Sequence, residues 1–282
     1  MNPRAVTVLG AGTMGHGIAY AAMAAGYDTM MFDVSQEAAD KGRRAIEEIV
    51  SAGVDRGKLT AAAGTAIASR LSLTCDLAAA LADADFIIEA APERIATKLE
   101  LFAAIERFAP AHAIVTSNTS ALSVTEMAAT LGNPSRVAGM HFFNPVHKMK
   151  LVEVVQALET SAATLDAVRD VAARMGKETV VVRESPGFIT TRVNASLGNE
   201  AFYMLMEGVA SARDIDKALK LGLNHPMGPF ELVDLVGLDT RLSILDYLHR
   251  SMGEKYRPCP LLVQYVRAGR LGRKVGRGVY DY

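Results

Sequence analysis

Short apolar or β-branched runs alternate with longer stretches of helical period through the first two thirds of the chain. Residues 5–9, 29–32, 86–89, 113–116 and 136–140 read as strands, apolar on both faces and separated by helix-length segments. Such strands need cover on both sides, so the pattern predicts a doubly wound α/β architecture with a mostly parallel sheet. One crossover is long. Residues 36–67 hold two helical stretches, EAADKGRRAIEEIV and KLTAAAGTAIA, interrupted by Gly53 and Gly57, which predicts an inserted helical hairpin.

After a further strand at 179–182, the polar turn RESPGFIT contains Pro186 and Gly187, and beyond it strand-like runs give way to helical periodicity. A boundary there divides the chain into residues 1–185 and an all-α domain, residues 186–282. A helix starting near Phe188 carries Ile189, Val193, Leu197, Ala201, Met204 and Leu205 as one apolar stripe before Gly208. Further helices are expected around residues 214–220, 229–235, 239–250 and 260–268.

Composition narrows the picture without redirecting it. The 282 residues are 50% hydrophobic and 22% charged, enough for two moderate cores. With 30 basic and 31 acidic residues the net charge is −1, so nothing points to a nucleic-acid partner. Cys75 and Cys259 lie far apart without a histidine cluster beside them, which argues against a disulfide framework or a metal site and for buried or inert thiols. The first strand starts by about Ala5, leaving no basic and apolar leader, and no apolar run approaches the roughly 18 residues of a membrane span. A cytoplasmic protein with no membrane partner is expected.

Two constellations carry chemistry. Gly10, Gly12 and Gly15, with Thr13 and Met14 between them, form G-x-G-x-x-G directly after the first strand, where a tight turn presents a helix N-terminus, residues 13–25, to a pyrophosphate. Asp33 ends the second strand about 20 residues on, where a carboxylate accepts hydrogen bonds from ribose hydroxyls and repels a 2′-phosphate. Together they predict a Rossmann-like domain binding NAD in preference to NADP, with Arg43 a possible counterweight. The second constellation is His141 followed by Glu153 on an apolar strand. A histidine held by a carboxylate is fixed in one tautomer, and its imidazolium is stabilised, so it serves as a general base near neutral pH. The hairpin cations Lys41, Arg43 and Arg44 form either a solvated helix face or a contact for a phosphorylated ligand.

GAGTMGHGIA, SNTSAL, HFFNP followed by KLVEVV, SPGFI and HPMGPFEL occur in an order and spacing that resembles the L-3-hydroxyacyl-CoA dehydrogenases, particularly the short-chain 3-hydroxybutyryl-CoA type, over essentially the whole chain. The resemblance implies NAD-dependent interconversion of (S)-3-hydroxyacyl-CoA and 3-oxoacyl-CoA, with His141 as catalytic base and Glu153 orienting it. By the same resemblance Ser120 bonds the substrate 3-oxygen beside the nicotinamide, Asn144 lies near the nicotinamide and its ribose, and Glu93 and Lys98 contact the cofactor. It also implies an acyl-CoA substrate and a homodimer through the C-terminal domain. Taken singly, Glu153 also reads as a strand-edge acid, Ser120 as a helix cap and Asn144 as an Asx turn. One departure stands out. Where the family has asparagine in P-G-F-x-x-N, this chain has Thr191, with Asn194 nearly one turn further on, and which of the two serves the substrate stays open. The competing readings are a dehydrogenase of a free hydroxy or sugar acid, resembling L-gulonate dehydrogenase, and a non-catalytic NAD-binding protein.

Overall fold

The computed structural model describes residues 3–282 and divides into two compact units, the first ending at Glu184 and the second spanning Ser185–Tyr282. In the first unit β1 (Ala5–Leu9), α1 (Gly15–Ala24) and β2 (Asp28–Phe32) form the opening βαβ turn. The hairpin α2 (Gln36–Asp55) and α3 (Ala61–Ala68) follows, then β3 (Leu71–Thr74), α4 (Leu77–Leu81), β4 (Phe86–Glu89), α5 (Ile95–Phe108) and β5 (Ile114–Ser117). The unit closes with α6 (Val124–Ala128), β6 (Val137–Phe142), β7 (Leu151–Gln156), α7 (Ala162–Arg174) and β8 (Glu178–Arg183).

The eight strands form one sheet in the order β3-β2-β1-β4-β5-β6-β7-β8. Every neighbouring pair is parallel except β6 with β7. Residues of β4, β5 and β6 are buried along their whole length, which is why these strands read as unbroken apolar runs. Strand order reverses beside β1, so β1 and β4 open a crevice at their carboxyl ends, the standard ligand position of such sheets.

Two expectations need correction. His141 and Glu153 do not share a strand: His141 is on β6 and Glu153 on antiparallel β7, an internal strand, where the register sets them opposite one another. The hairpin is not broken at Gly53, which lies inside α2, where a Cβ would fall 2.9 Å from Leu59 Cδ1. The chain turns instead at Gly57, with φ 66°. Of the two thiols Cys259 is buried but Cys75 is exposed.

The second unit contains α8 (Thr190–Met206), α9 (Ala212–Gly222), α10 (Pro229–Val236), α11 (Leu238–Met252) and α12 (Pro260–Arg267). Phe202 is its aromatic centre, edge-on to Phe230 at 5.2 Å and to Tyr265 at 5.9 Å, with Leu238, Leu245 and Leu248 buried around it. The final residues strap back onto two buried carboxylates. Val279 and Tyr280 donate their amides to Asp234 at 2.8 and 2.9 Å, and the Tyr280 hydroxyl donates to Asp216 at 2.7 Å. Asp216 also accepts the Phe230 and Glu231 amides at 2.8 and 3.1 Å, fixing the start of α10. Among the described residues no helix is long and apolar enough to cross a membrane.

Candidate functional site

The glycine turn is built by close backbone approach. Gly10 has φ 111°, and a Cβ there would lie 2.7 Å from the Ala90 carbonyl oxygen, so only glycine brings β1 this close to the chain leaving β4. A Cβ on Gly12 would meet nothing within 4 Å, so this side of the turn is the face that can receive a pyrophosphate. No side chain caps α1, leaving its first-turn amides to an anion. The helix itself begins at Gly15, with Thr13 and Met14 in the turn before it.

Asp33 follows β2 directly and is held by the backbone on both sides of it. Its Oδ2 accepts the Ala11 amide at 2.9 Å and its Oδ1 the Ser35 amide at 3.3 Å, so the carboxylate also holds the glycine turn. Gly12, Thr13, Met14, Asp33, Ala90 and Arg94 contribute to the lining of a cavity of about 630 Å³ at the β1/β4 crevice. Its size, its largely apolar walls and its carboxylate suit the adenosine half of a dinucleotide. These residues therefore fit the cofactor that the glycine motif predicts.

Glu93 and Lys98 form an ion pair at 3.5 Å, and each also holds other groups. Lys98 is 1% exposed, and its ammonium donates to Glu89 Oε1 and Oε2 at 2.6 and 2.8 Å. Glu89, wholly buried at the end of β4, also accepts from the Ala91 amide and the Ser117 hydroxyl, tying β4 to β5. A lysine buried in this way braces the walls of the crevice rather than offering its charge to an incoming phosphate. Glu93 Oε1 accepts the Thr119 hydroxyl at 2.6 Å and the amides of Ser120 and Ala121 at 2.8 and 3.2 Å. It thus shapes the loop after β5 on which Ser120 stands. Glu89, Ser117 and Thr119 escaped sequence reasoning, although a glutamate ending an apolar strand nine residues before Lys98 was a signal available to it.

The strongest element is the histidine pair. His141 Nδ1 lies 2.7 Å from Glu153 Oε2, the two side chains 6% and 1% exposed, and the imidazole packs on Phe143 with centroids 4.6 Å apart. Opposed positions on antiparallel strands bring the side chains together on one face of the sheet, which makes the pair rigid. With Nδ1–H donated to the carboxylate, Nε2 becomes the acceptor of the ring. Just beyond, Asn118 Oδ1 accepts the Phe142 amide at 2.8 Å where β6 parts from β5, and Asn144 precedes Pro145 through a cis peptide.

The remaining candidates lie elsewhere. Lys41 and Arg44 are exposed on α2, and Arg43 pairs with Asp40 at 3.1 Å. Thr191 and Asn194 are half-buried in the first turns of α8, in the second unit. Asn199, further along that helix, is structural: its carboxamide bonds the Arg257 carbonyl and the Cys259 amide. Among the described residues no group of three or more His, Cys, Asp or Glu is placed to hold a metal ion.

Comparison with known proteins finds relatives along the whole chain. Residues 5–185 match the family profile described as 3-hydroxyacyl-CoA dehydrogenase, NAD binding domain, and residues 187–282 match the 3-hydroxyacyl-CoA dehydrogenase C-terminal domain. A probable 3-hydroxybutyryl-CoA dehydrogenase of Bacillus subtilis is 47% identical over 283 residues, covering 100% of this chain and 98% of that protein. The 3-hydroxybutyryl-CoA dehydrogenase of Bradyrhizobium diazoefficiens is 44% identical, over 98% of this chain and 94% of its own. The crystal structure of (S)-3-hydroxybutyryl-CoA dehydrogenase from Ralstonia eutropha superposes with a TM-score of 0.95 at 40% identity, covering 100% and 99% of the two chains.

Proposed function

The chain belongs to the 3-hydroxyacyl-CoA dehydrogenase family, and from that premise we propose that it interconverts (S)-3-hydroxybutyryl-CoA and acetoacetyl-CoA with NAD. The observation that carries the reading is the buried His141–Glu153 pair at 2.7 Å in the same unit as a dinucleotide crevice. Binding a nucleotide needs no such base. The four-carbon acyl group carries over from the relatives' names, and the thioester distinguishes this reading from a free hydroxy-acid dehydrogenase.

Gly10, Gly12, Thr13, Met14, Gly15 and Asp33 hold the cofactor, with Glu93 and Lys98 supporting the adjoining loops. Bound there, NAD supplies the hydride acceptor for oxidation, and NADH the donor for reduction. His141 Nε2 takes the proton of the substrate 3-hydroxyl, and the Glu153 carboxylate stabilises the imidazolium that results. In reduction the imidazolium returns that proton. Ser120 donates a hydrogen bond to the reacting oxygen, and Asn144 orients the cofactor's reactive end. Lys41 and Arg44, exposed and cationic, serve the phosphates of the CoA moiety. Acyl-CoA esters and NAD are intracellular reactants, which supports a cytoplasmic enzyme, and the apolar surface of the helical unit supports a homodimer through it.

The test follows absorbance at 340 nm with NADH or NADPH against acetoacetyl-CoA or free acetoacetate at matched concentrations. Oxidation of NADH with the CoA ester alone is expected. Equal or faster turnover of free acetoacetate would replace the substrate class by a free hydroxy acid. Tight NADH binding without turnover of either compound would replace catalysis by binding.

A further inference from the structure

We propose that Lys177 is a positioning residue for this reaction, clamping the loop 143–150 that carries Asn144 away from the catalytic strand; the inference rests on the dehydrogenase reading above. The loop joins β6 to β7, and at its far end Lys150 O accepts the amide of Glu178, the first residue of β8, at 2.8 Å. Its start is held by Asn118, which accepts the Phe142 amide. Its middle is a tight turn in which Pro145 O accepts the amides of both Lys148 and Met149, at 2.9 and 3.0 Å. The carbonyls of Val146 and Met149 share a single side-chain donor. Lys177 Nζ donates to Val146 O at 2.5 Å and to Met149 O at 2.8 Å, reaching across 31 and 28 residues from the start of β8.

The same loop is pinned to the cofactor helix. Val146 is buried, and a Cβ on Gly17 of α1 would lie 3.0 Å from Val146 Cβ, so the valine fills the groove that the glycine leaves. His147 sets its ring edge-on to Tyr20, also on α1, with centroids 6.3 Å apart. The loop therefore bridges the helix that faces the pyrophosphate and the strands that carry the base, with the lysine fixing its distance from the sheet. Burial holds the Lys177 ammonium below its ordinary pKa, as expected for a charge withdrawn from water to serve two carbonyls.

His141 is held by the β6–β7 register and by Glu153, and it touches the loop through Phe143, the residue that follows β6 directly. Releasing the clamp at Val146 and Met149 therefore moves the loop while the base stays paired on its strands. A displacement of about 1 Å at a positioning group can cost up to about 100-fold in rate. Lys177→Met keeps the aliphatic stem and removes the donors, whereas Lys177→Arg keeps donors at the same place. Amide hydrogen exchange in the cofactor-free protein reads the clamp directly. In Lys177→Met the amides of Lys148 and Met149 are expected to exchange about tenfold faster, kcat to fall about tenfold or more, and the pH midpoint of kcat/KM to stay where it is. Lys177→Arg is expected to recover protection and most of kcat.

Unchanged exchange in the methionine variant overturns the clamp. A kcat within about twofold of wild type despite fast exchange overturns the positioning role. A shift of the pH midpoint also overturns it, because the effect would then run through His141. If the wild-type protein does not turn over acetoacetyl-CoA, the reaction reading fails, while the exchange measurement still decides whether the clamp exists.

Discussion

Glu153 sits in the middle of an internal strand, where an ionised carboxylate costs several kcal/mol unless hydrogen-bond donors meet it. The His141 ring meets it, and the carboxylate in turn fixes the orientation of the ring. A general base contributes about 100-fold to 10,000-fold, so His141→Gln is expected to lose roughly 3 to 5 kcal/mol of transition-state stabilisation. NADH affinity, read by fluorescence titration, should remain within about twofold because the glycine turn is untouched. Equal losses of turnover and of NADH binding would refute the division of labour. At Asp33 charge and hydrogen bonding separate cleanly. Asp33→Asn keeps an acceptor for the Ala11 amide and removes the repulsion of a 2′-phosphate, so the NADPH/NADH ratio of kcat/KM should rise about tenfold or more. An unchanged ratio would assign cofactor choice to other residues. These two residues stood out in the sequence because each lies in a local motif. Lys177 and Asn118 did not, because their partners are 24 to 31 residues away and no local pattern marks such a contact.

At the scale of elements, a strand is legible when it is apolar on both faces and bounded by turn residues. β1, β2, β4, β5, β6 and β8 follow from the sequence in that way, whereas β3 does not: it has four residues, LSLT, partly exposed at the sheet edge. β7 hid for another reason. Glu153 breaks its apolar run, so LVEVVQ reads as a continuation of the preceding motif rather than as a strand returning antiparallel to it. The strap formed by residues 279–282 was also invisible, since Asp216 and Asp234 lie 45 to 64 residues from the Val279 and Tyr280 groups that bind them. Burial first, and then the hydrogen bond to the Asp216 carboxylate, push the Tyr280 phenol well above its ordinary 10.0. A raised folded-state pKa supplies stability that is complete below the unfolded value and is lost as pH climbs past it. Tyr280→Phe should therefore lower stability at pH 7 by about 1.5 to 3 kcal/mol, for a hydrogen bond to a charged acceptor. It should also flatten the alkaline decline above about pH 10. Urea unfolding at neutral and alkaline pH reads both, and identical profiles for the two proteins would show that the strap bears no load.

For the whole molecule, the two units differ in how well each covers its own apolar surface. Of the sixteen large hydrophobic side chains exposed among the described residues, ten lie in Ser185–Tyr282, about a third of the chain. Single exposed hydrophobes are common, but such an excess on the smaller unit is what a protein–protein interface produces. Leu221 and Leu223, 77% and 61% exposed at the end of α9, are the most open pair on one segment. Their side chains do nothing for the core in the single chain, so replacing both with lysine costs the fold little while placing two charges in any interface that covers them. The native protein is expected to sediment at about twice its 30.1 kDa, and the Leu221→Lys, Leu223→Lys variant to shift toward the single-chain mass with its circular dichroism unchanged. A monomeric native protein would overturn the dimer. A dimer that survives both charges would move the interface off α9, toward the apolar residues at the end of α10, Leu235 and Val236.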